Sequence, residues 1–126
     1  MRILLDTHVL IWYLEGNQTL SKHRRAVIVD PNNEIFVSIS SLWEIAIKTS
    51  IKKLKISRPL SEILKQLSVQ SIEVLPIQPG HVLQVANLPL HHRDPFDRMI
   101  IAQAQVEYLQ LFTEDAAFSD YGIKLL

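Results

Sequence analysis

Four acids stand out by their settings. Asp6 ends the apolar run Ile3-Leu4-Leu5, and Glu44 is enclosed by Leu42-Trp43 and Ile45-Ala46-Ile47. Asp97 follows Asp94 by three residues at a helix start, and Asp115 comes just after Leu111-Phe112-Thr113. Each has a local role that involves no chemistry. Asp6 could N-cap the segment that follows it, Glu44 could complete a capping box opened by Ser41, Asp97 could complement a helix dipole, and Asp115 could hold a turn. Of the pair in the sixth helix, Asp94 reads as the cap, whereas Asp97 lies on the side of Ile101 and Ala104 and points toward the sheet. Jointly the four carboxylates fall at strand ends or in the helical turns after them, and so at one edge of a sheet. Carboxylates brought that close raise each other's pKa unless a cation is shared. All-oxygen donors without a cysteine suit Mg²⁺ or Mn²⁺ better than zinc. The chemistry expected is hydrolysis of a phosphodiester by metal-activated water, with the ions stabilising the attacking and leaving oxygens.

The elements that must position these acids are legible from periodicity and punctuation. Residues 2–5 read as a strand, 7–14 as a helix stopped at Gly16, and a second helix runs from an N-cap at Ser21 to the turn Asp30-Pro31-Asn32-Asn33. A strand at 34–38 feeds a helix over 41–54, followed by a helix at 60–69, a strand at 72–77 and a helix at 79–88. Asp94-Pro95 starts a helix that runs to Tyr108, and strands at 111–113 and 121–126 close the chain. Strands alternating with helices predict an α/β protein, a three-layer α/β/α sandwich around a mostly parallel sheet, built as a single domain over 1–126.

Composition narrows the class. Lys plus Arg and Asp plus Glu stand at 13 each, so no global field steers the chain to nucleic acid, although local patches of both signs are compatible with that balance. The absence of cysteine excludes a disulfide scaffold, a thiolate zinc site and a cysteine nucleophile, and suits a cytoplasmic location. The longest apolar run, 9–14, is too short to cross a bilayer.

Other residues offer competing chemistry. His91 and His92, with Arg93 and Arg98, could support metal-free RNA cleavage through the 2′-hydroxyl. Adjacent histidines seldom point at one atom, which favours for His91 and His92 a role in the loop, capping or contacting substrate. A phosphatase of the haloacid dehalogenase type would use Asp6 as nucleophile, but His8 stands where that class has its second acid. A non-catalytic module binding RNA or protein is the third reading. Lys48, Lys52 and Lys55 fall at helical spacing and read as a solvated face or as phosphate contacts, as do Lys22, His23, Arg24 and Arg25. Trp12, Tyr13 and Trp43 read as core or dimer-face residues, or as platforms for bases.

Asp6 in ILLDTHVLIW, Glu44 in VSISSLWEIAIK, Asp97 in HHRDPFDRMIIAQA and Asp115 in LFTEDAAF closely resemble the four acidic motifs of the PIN domain, most closely in its VapC-like toxins. The resemblance runs in order through nearly the whole chain. It implies a Rossmann-like sheet and a Mg²⁺- or Mn²⁺-dependent ribonuclease, usually a homodimer, silenced by an antitoxin encoded beside it. By the same comparison Thr7 and Thr113 orient water or metal ligands, and Asp94 matches a family position as well.

Overall fold

The computed structural model describes residues 1–126. The central strand is β1 (Arg2–Leu5), whose Ile3, Leu4 and Leu5 are fully enclosed. An unbroken apolar run is what a strand covered on both faces needs. Around it are α1 (Thr7–Glu15), α2 (Lys22–Val29), β2 (Glu34–Ser38), α3 (Ile39–Ser50), α4 (Leu60–Val69), β3 (Ile72–Leu75), α5 (Pro79–Asn87), α6 (Pro95–Glu107), β4 (Gln110–Phe112) and a 3₁₀ helix, Ala116–Tyr121. The four strands are all parallel in the order β3-β2-β1-β4, with Leu4 set between Phe36 and Leu111.

Strand alternation divides the core into two layers. Ile3, Leu5, Ile35, Val37 and Phe112 face Val9, Leu10, Ile28, Ile45 and Leu67 from α1 to α4. Leu4, Phe36 and Leu111 face Ile100, Ile101 and Ala104 of α6 with Phe118 and Tyr121. Each fully buried Leu, Ile or Phe stabilises the fold by about 1.5–3 kcal/mol. The predicted α/β/α sandwich is therefore what the chain forms. No helix is long and apolar enough to cross a membrane.

The topology also fixes where a site can lie. The chain steps outward from β1 to β2 and β3, then returns across the sheet to β4 on the other side of β1. That reversal opens a crevice past the carboxyl ends of β1 and β4, the usual ligand position in open parallel sheets. Asp6 ends one of those strands and Thr113 the other.

Local chemistry moved several boundaries. The third helix starts at Ile39 rather than at 41, because Ser38 caps it by accepting from the Ser40 N–H at 2.9 Å. It stops at Ser50, where Lys52 takes a left-handed φ of 60° and the N–H groups of Lys53 and Leu54 both turn back to the Lys48 carbonyl. Lys52 and Lys55 thus lie outside the helix, and no lysine stripe exists. Strand β3 ends before Pro76, which has no N–H to give a ladder. The expected last strand from Tyr121 is instead the end of the 3₁₀ helix, terminated by Gly122 at φ +68°. The last residues reach the sheet only as an isolated bridge of Leu125 to Leu111, made by the Lys124 carbonyl and the Leu126 N–H.

Candidate functional site

Asp6 performs two tasks at once. One carboxylate oxygen accepts the His8 N–H at 3.4 Å and so caps α1, and the other accepts the Thr113 hydroxyl at 2.7 Å. Thr113 in turn accepts the Asp115 N–H at 3.0 Å, tying the ends of β1 and β4 together. Thr7 does not touch an acid: its hydroxyl donates to Ser41 at 2.8 Å, joining the first turns of α1 and α3. Ser41 is consequently inside the helix, and the capping box expected between Ser41 and Glu44 does not form. Glu44 is buried, with Oε2 paired to Lys48 and Oε1 left with no partner.

Asp94 caps α6, accepting from the N–H groups of Phe96 and Asp97 at 2.9 and 3.1 Å. Asp97 then projects from the first turn, where burial pushes its carboxyl up to about 8, helped by the charges of Asp6, Asp94, Glu44 and Asp115. Burial likewise raises Asp6, partly countered by the Thr113 hydrogen bond. The acids are graded in depth. Asp6 and Glu44 are 4% and 3% exposed and form a floor, while the side chains of Asp97 and Asp115 reach 17% and 47% and form a rim.

His92 bridges that rim. Its Nδ1 accepts the Asp94 N–H at 3.2 Å, which leaves the proton on Nε2. Nε2 lies 3.1 Å from Asp97 Oδ2 and 3.5 Å from Asp115 Oδ2. His91 turns elsewhere, its ring edge-on to Tyr121 with centroids 5.2 Å apart, so the two histidines do not converge on one atom. His8, where a phosphatase of the haloacid dehalogenase type would carry an acid, is exposed.

The cations sort differently from the sequence expectation. Lys48 is the counter-ion of Glu44, and that hydrogen bond holds its ammonium above the usual range. Arg98 closes the end of α5 by donating to the carbonyls of Val85, Leu88, Pro89 and His92, which commits its guanidinium to the backbone. Arg24 packs over Phe112 and donates to the Thr113 and Leu126 carbonyls, and Arg25 donates to the Tyr13, Trp12 and Asn17 carbonyls. These arginines are structural clasps and not a free basic patch. Arg93, next to Asp94 in the chain, is exposed. Tyr13 is core, donating to Gln70 at 2.8 Å, whereas Trp43 is 58% exposed and edge-on to Phe96.

Three participants were not anticipated as such: Ser41 as the partner of Thr7, Lys48 as an internal counter-ion, and Tyr121, whose hydroxyl accepts the His91 and His92 N–H groups. The Glu44–Lys48 pair was visible as an i, i+4 spacing. The other two are contacts over long sequence separations and carry no local signal.

Comparison with known proteins gives a consistent picture. The PIN domain family matches residues 3–124. Among solved structures, the chain is similar to one in VapBC2 from Rickettsia felis bound to a DNA fragment from their promoter, with TM-score 0.74, 17% identity, and 100% and 98% of the two chains covered. Similar values hold for VapBC-1 from nontypeable Haemophilus influenzae, with TM-score 0.68, 16% identity and coverage of 100% and 97%. FitAcB from Neisseria gonorrhoeae gives TM-score 0.65, 17% identity and coverage of 98% and 96%. No curated protein sequence matches the chain.

Proposed function

The chain belongs to the PIN domain family, and from that membership we propose that it is a Mg²⁺- or Mn²⁺-dependent endoribonuclease, the toxin of a toxin-antitoxin pair. The observation that carries the reading is the buried, unpartnered Oε1 of Glu44 in the company of Asp6, Asp97 and Asp115. A buried carboxylate oxygen without a donor is costly, and repulsion among the neighbouring acids adds to the cost. A hard divalent cation removes both, and the all-oxygen donor set fits one.

Asp6, Glu44, Asp97 and Asp115 would hold the ion. When bound, it supplies Lewis-acid stabilisation of the charge that develops on a phosphodiester during attack by water. The chain's own residues do the rest. Thr113 fixes the rotamer of Asp6, and a supporting hydrogen bond of this kind is typically worth ten- to a hundredfold, roughly, in metal affinity or activity. Thr7 and Ser41 tie the starts of α1 and α3 together, and the charge of Glu44 on α3 is felt at Asp6. Asp94 orients the first turn of α6 and through it Asp97. Arg93, exposed and adjacent in sequence to Asp94, is a cation that could contact an RNA phosphate.

Two partners belong to the same reading. The similar structures are those of VapBC and FitAcB, which supports a cognate antitoxin for this chain. Homodimerisation has the exposed Val82, Leu83 and Leu90 as apolar surface to draw on.

Incubating the purified chain with end-labelled structured and single-stranded RNAs in Mg²⁺, Mn²⁺ or EDTA tests the proposal, with Asp97→Asn alongside. The expected result is metal-dependent cutting that leaves 5′-phosphates and drops at least about a hundredfold in the variant. Cutting that survives EDTA and leaves cyclic phosphates would refute it.

A further inference from the structure

Resting on the metal-dependent reading above, we propose that His92 is a displaceable latch: its Nε2–H occupies the space between Asp97 and Asp115, and a divalent cation enters by taking that space. Nε2 of His92 and one oxygen each of Asp97 and Asp115 lie within 4.8 Å of one another, the spread of a cation's ligand set. At first sight the three form a metal site. The proton argues otherwise, because the Asp94 N–H at 3.2 Å consumes the Nδ1 lone pair and leaves Nε2 as a donor. A donor cannot ligate. It satisfies the same carboxylate lone pairs that a cation would use, so His92 in this position and a cation bound to both oxygens exclude each other.

The surroundings suit a part that holds and then lets go. Residues 88–94 between α5 and α6 form no regular element, and Leu90 within them is 70% exposed. The segment is held at His92 by few bonds. The Tyr121 hydroxyl accepts the N–H of His91 at 3.0 Å and that of His92, and Arg98 donates to the His92 carbonyl at 3.3 Å. Phe118 of the 3₁₀ helix packs 5.4 Å from the imidazole centroid. Rotation of the imidazole alone frees both carboxylates without moving α6 or β4. In the free protein the N–H stands in for a cation and keeps Asp97 and Asp115 together.

The test is Mn²⁺ binding by titration calorimetry on the full chain, on His92→Ala and on Tyr121→Phe, with imidazole ¹⁵N spectra of the wild type recorded with and without Mg²⁺. The latch predicts about tenfold tighter Mn²⁺ binding by His92→Ala, since a hydrogen-bonding competitor for the same oxygens is gone. It predicts about threefold tighter binding by Tyr121→Phe, which frees the segment and leaves every acid in place. In the wild type, Mg²⁺ should remove the Nε2–H resonance from its hydrogen-bonded position. Weaker binding by His92→Ala would make His92 a ligand and overturn the latch, and so would equal binding. If that variant does not fold, a wild-type Nε2–H signal unchanged at Mg²⁺ saturation overturns it as well. No Mn²⁺ uptake by the wild type would overturn the metal-dependent reading together with the latch, whereas normal uptake with unaltered affinities defeats the latch alone.

Discussion

Two histidines in this protein are built alike and surrounded differently. His81 of α5 accepts the Gln78 N–H on Nδ1 at 2.9 Å and faces Glu107 with Nε2 at 2.8 Å. His92 accepts the Asp94 N–H on Nδ1 and faces Asp97 with Nε2. Both are held in the Nε2–H tautomer by a backbone amide. Around His81, however, every polar group has a partner: Ser38 donates to Gln103, and Gln103 donates to the Pro76 carbonyl at 3.2 Å. Around His92 there are several acids for one N–H, and an oxygen of Glu44 nearby has none. A satisfied polar cluster rigidifies a core. A crowded and unsatisfied one marks a place where something else is meant to bind.

The largest contrast should appear in stability. His81→Ala removes a buried ring, leaves the Gln78 N–H without its acceptor and should cost about 2–3 kcal/mol in urea unfolding. His92→Ala, at a partly open rim, should cost less than about 1 kcal/mol. Equal losses would erase the distinction between the two regions. Next in size is Thr113→Val, which keeps the shape of β4's end but takes the donor from Asp6. RNA cleavage should fall by roughly ten- to a hundredfold with little change in melting temperature, and full activity would detach Thr113 from the acids.

The smallest effect is a pH slope that sharpens the comparison. Asp97 sits at about 8 in the folded chain against 3.8 for the free side chain, so its folded pKa is raised. The folded state then holds a proton that the unfolded state releases, and stability is greatest below the unfolded value and is lost as pH climbs toward the folded one. Between pH 4 and 8 the metal-free chain should lose roughly 1–2 kcal/mol, a figure kept small by solvent at the open rim. Asp97→Asn or excess Mg²⁺ should flatten the slope in melts run across that range, and a slope persisting in the variant would place its origin elsewhere.

Much of the fold could be read from the chain because its signals are local. The apolar run of β1, the strand at 34–38, the stop at Gly16, the cap at Ser21 and the Asp94-Pro95 start are all properties of a few adjacent residues, and each appears where expected. The errors share one cause. Ser41 looked like a cap because its local pattern fits one, but Ser38 took that role at the strand end and Ser41 was claimed by Thr7 from another element. Lys48 and Arg98 looked like cations for substrate, and nearby acceptors engaged them instead. The 121–126 strand lost its first half to the burial of Phe118 and Tyr121, three residues apart on the 3₁₀ helix.

The sequence by itself determined the class of the protein, the kinds of donor it could offer a ligand and the order in which four acids enter the fold, since hydrophobic period, caps and residue chemistry need no long-range contact. What only the tertiary structure decided is which groups meet. The return of the chain from β3 to β4 sets Thr113 against Asp6, 107 residues apart. The same return brings Asp115 to His92 and Tyr121 to the segment before α6. Protonation, pairing and crowding follow from those distances, and distances between remote residues exist only once the sheet has closed over its core.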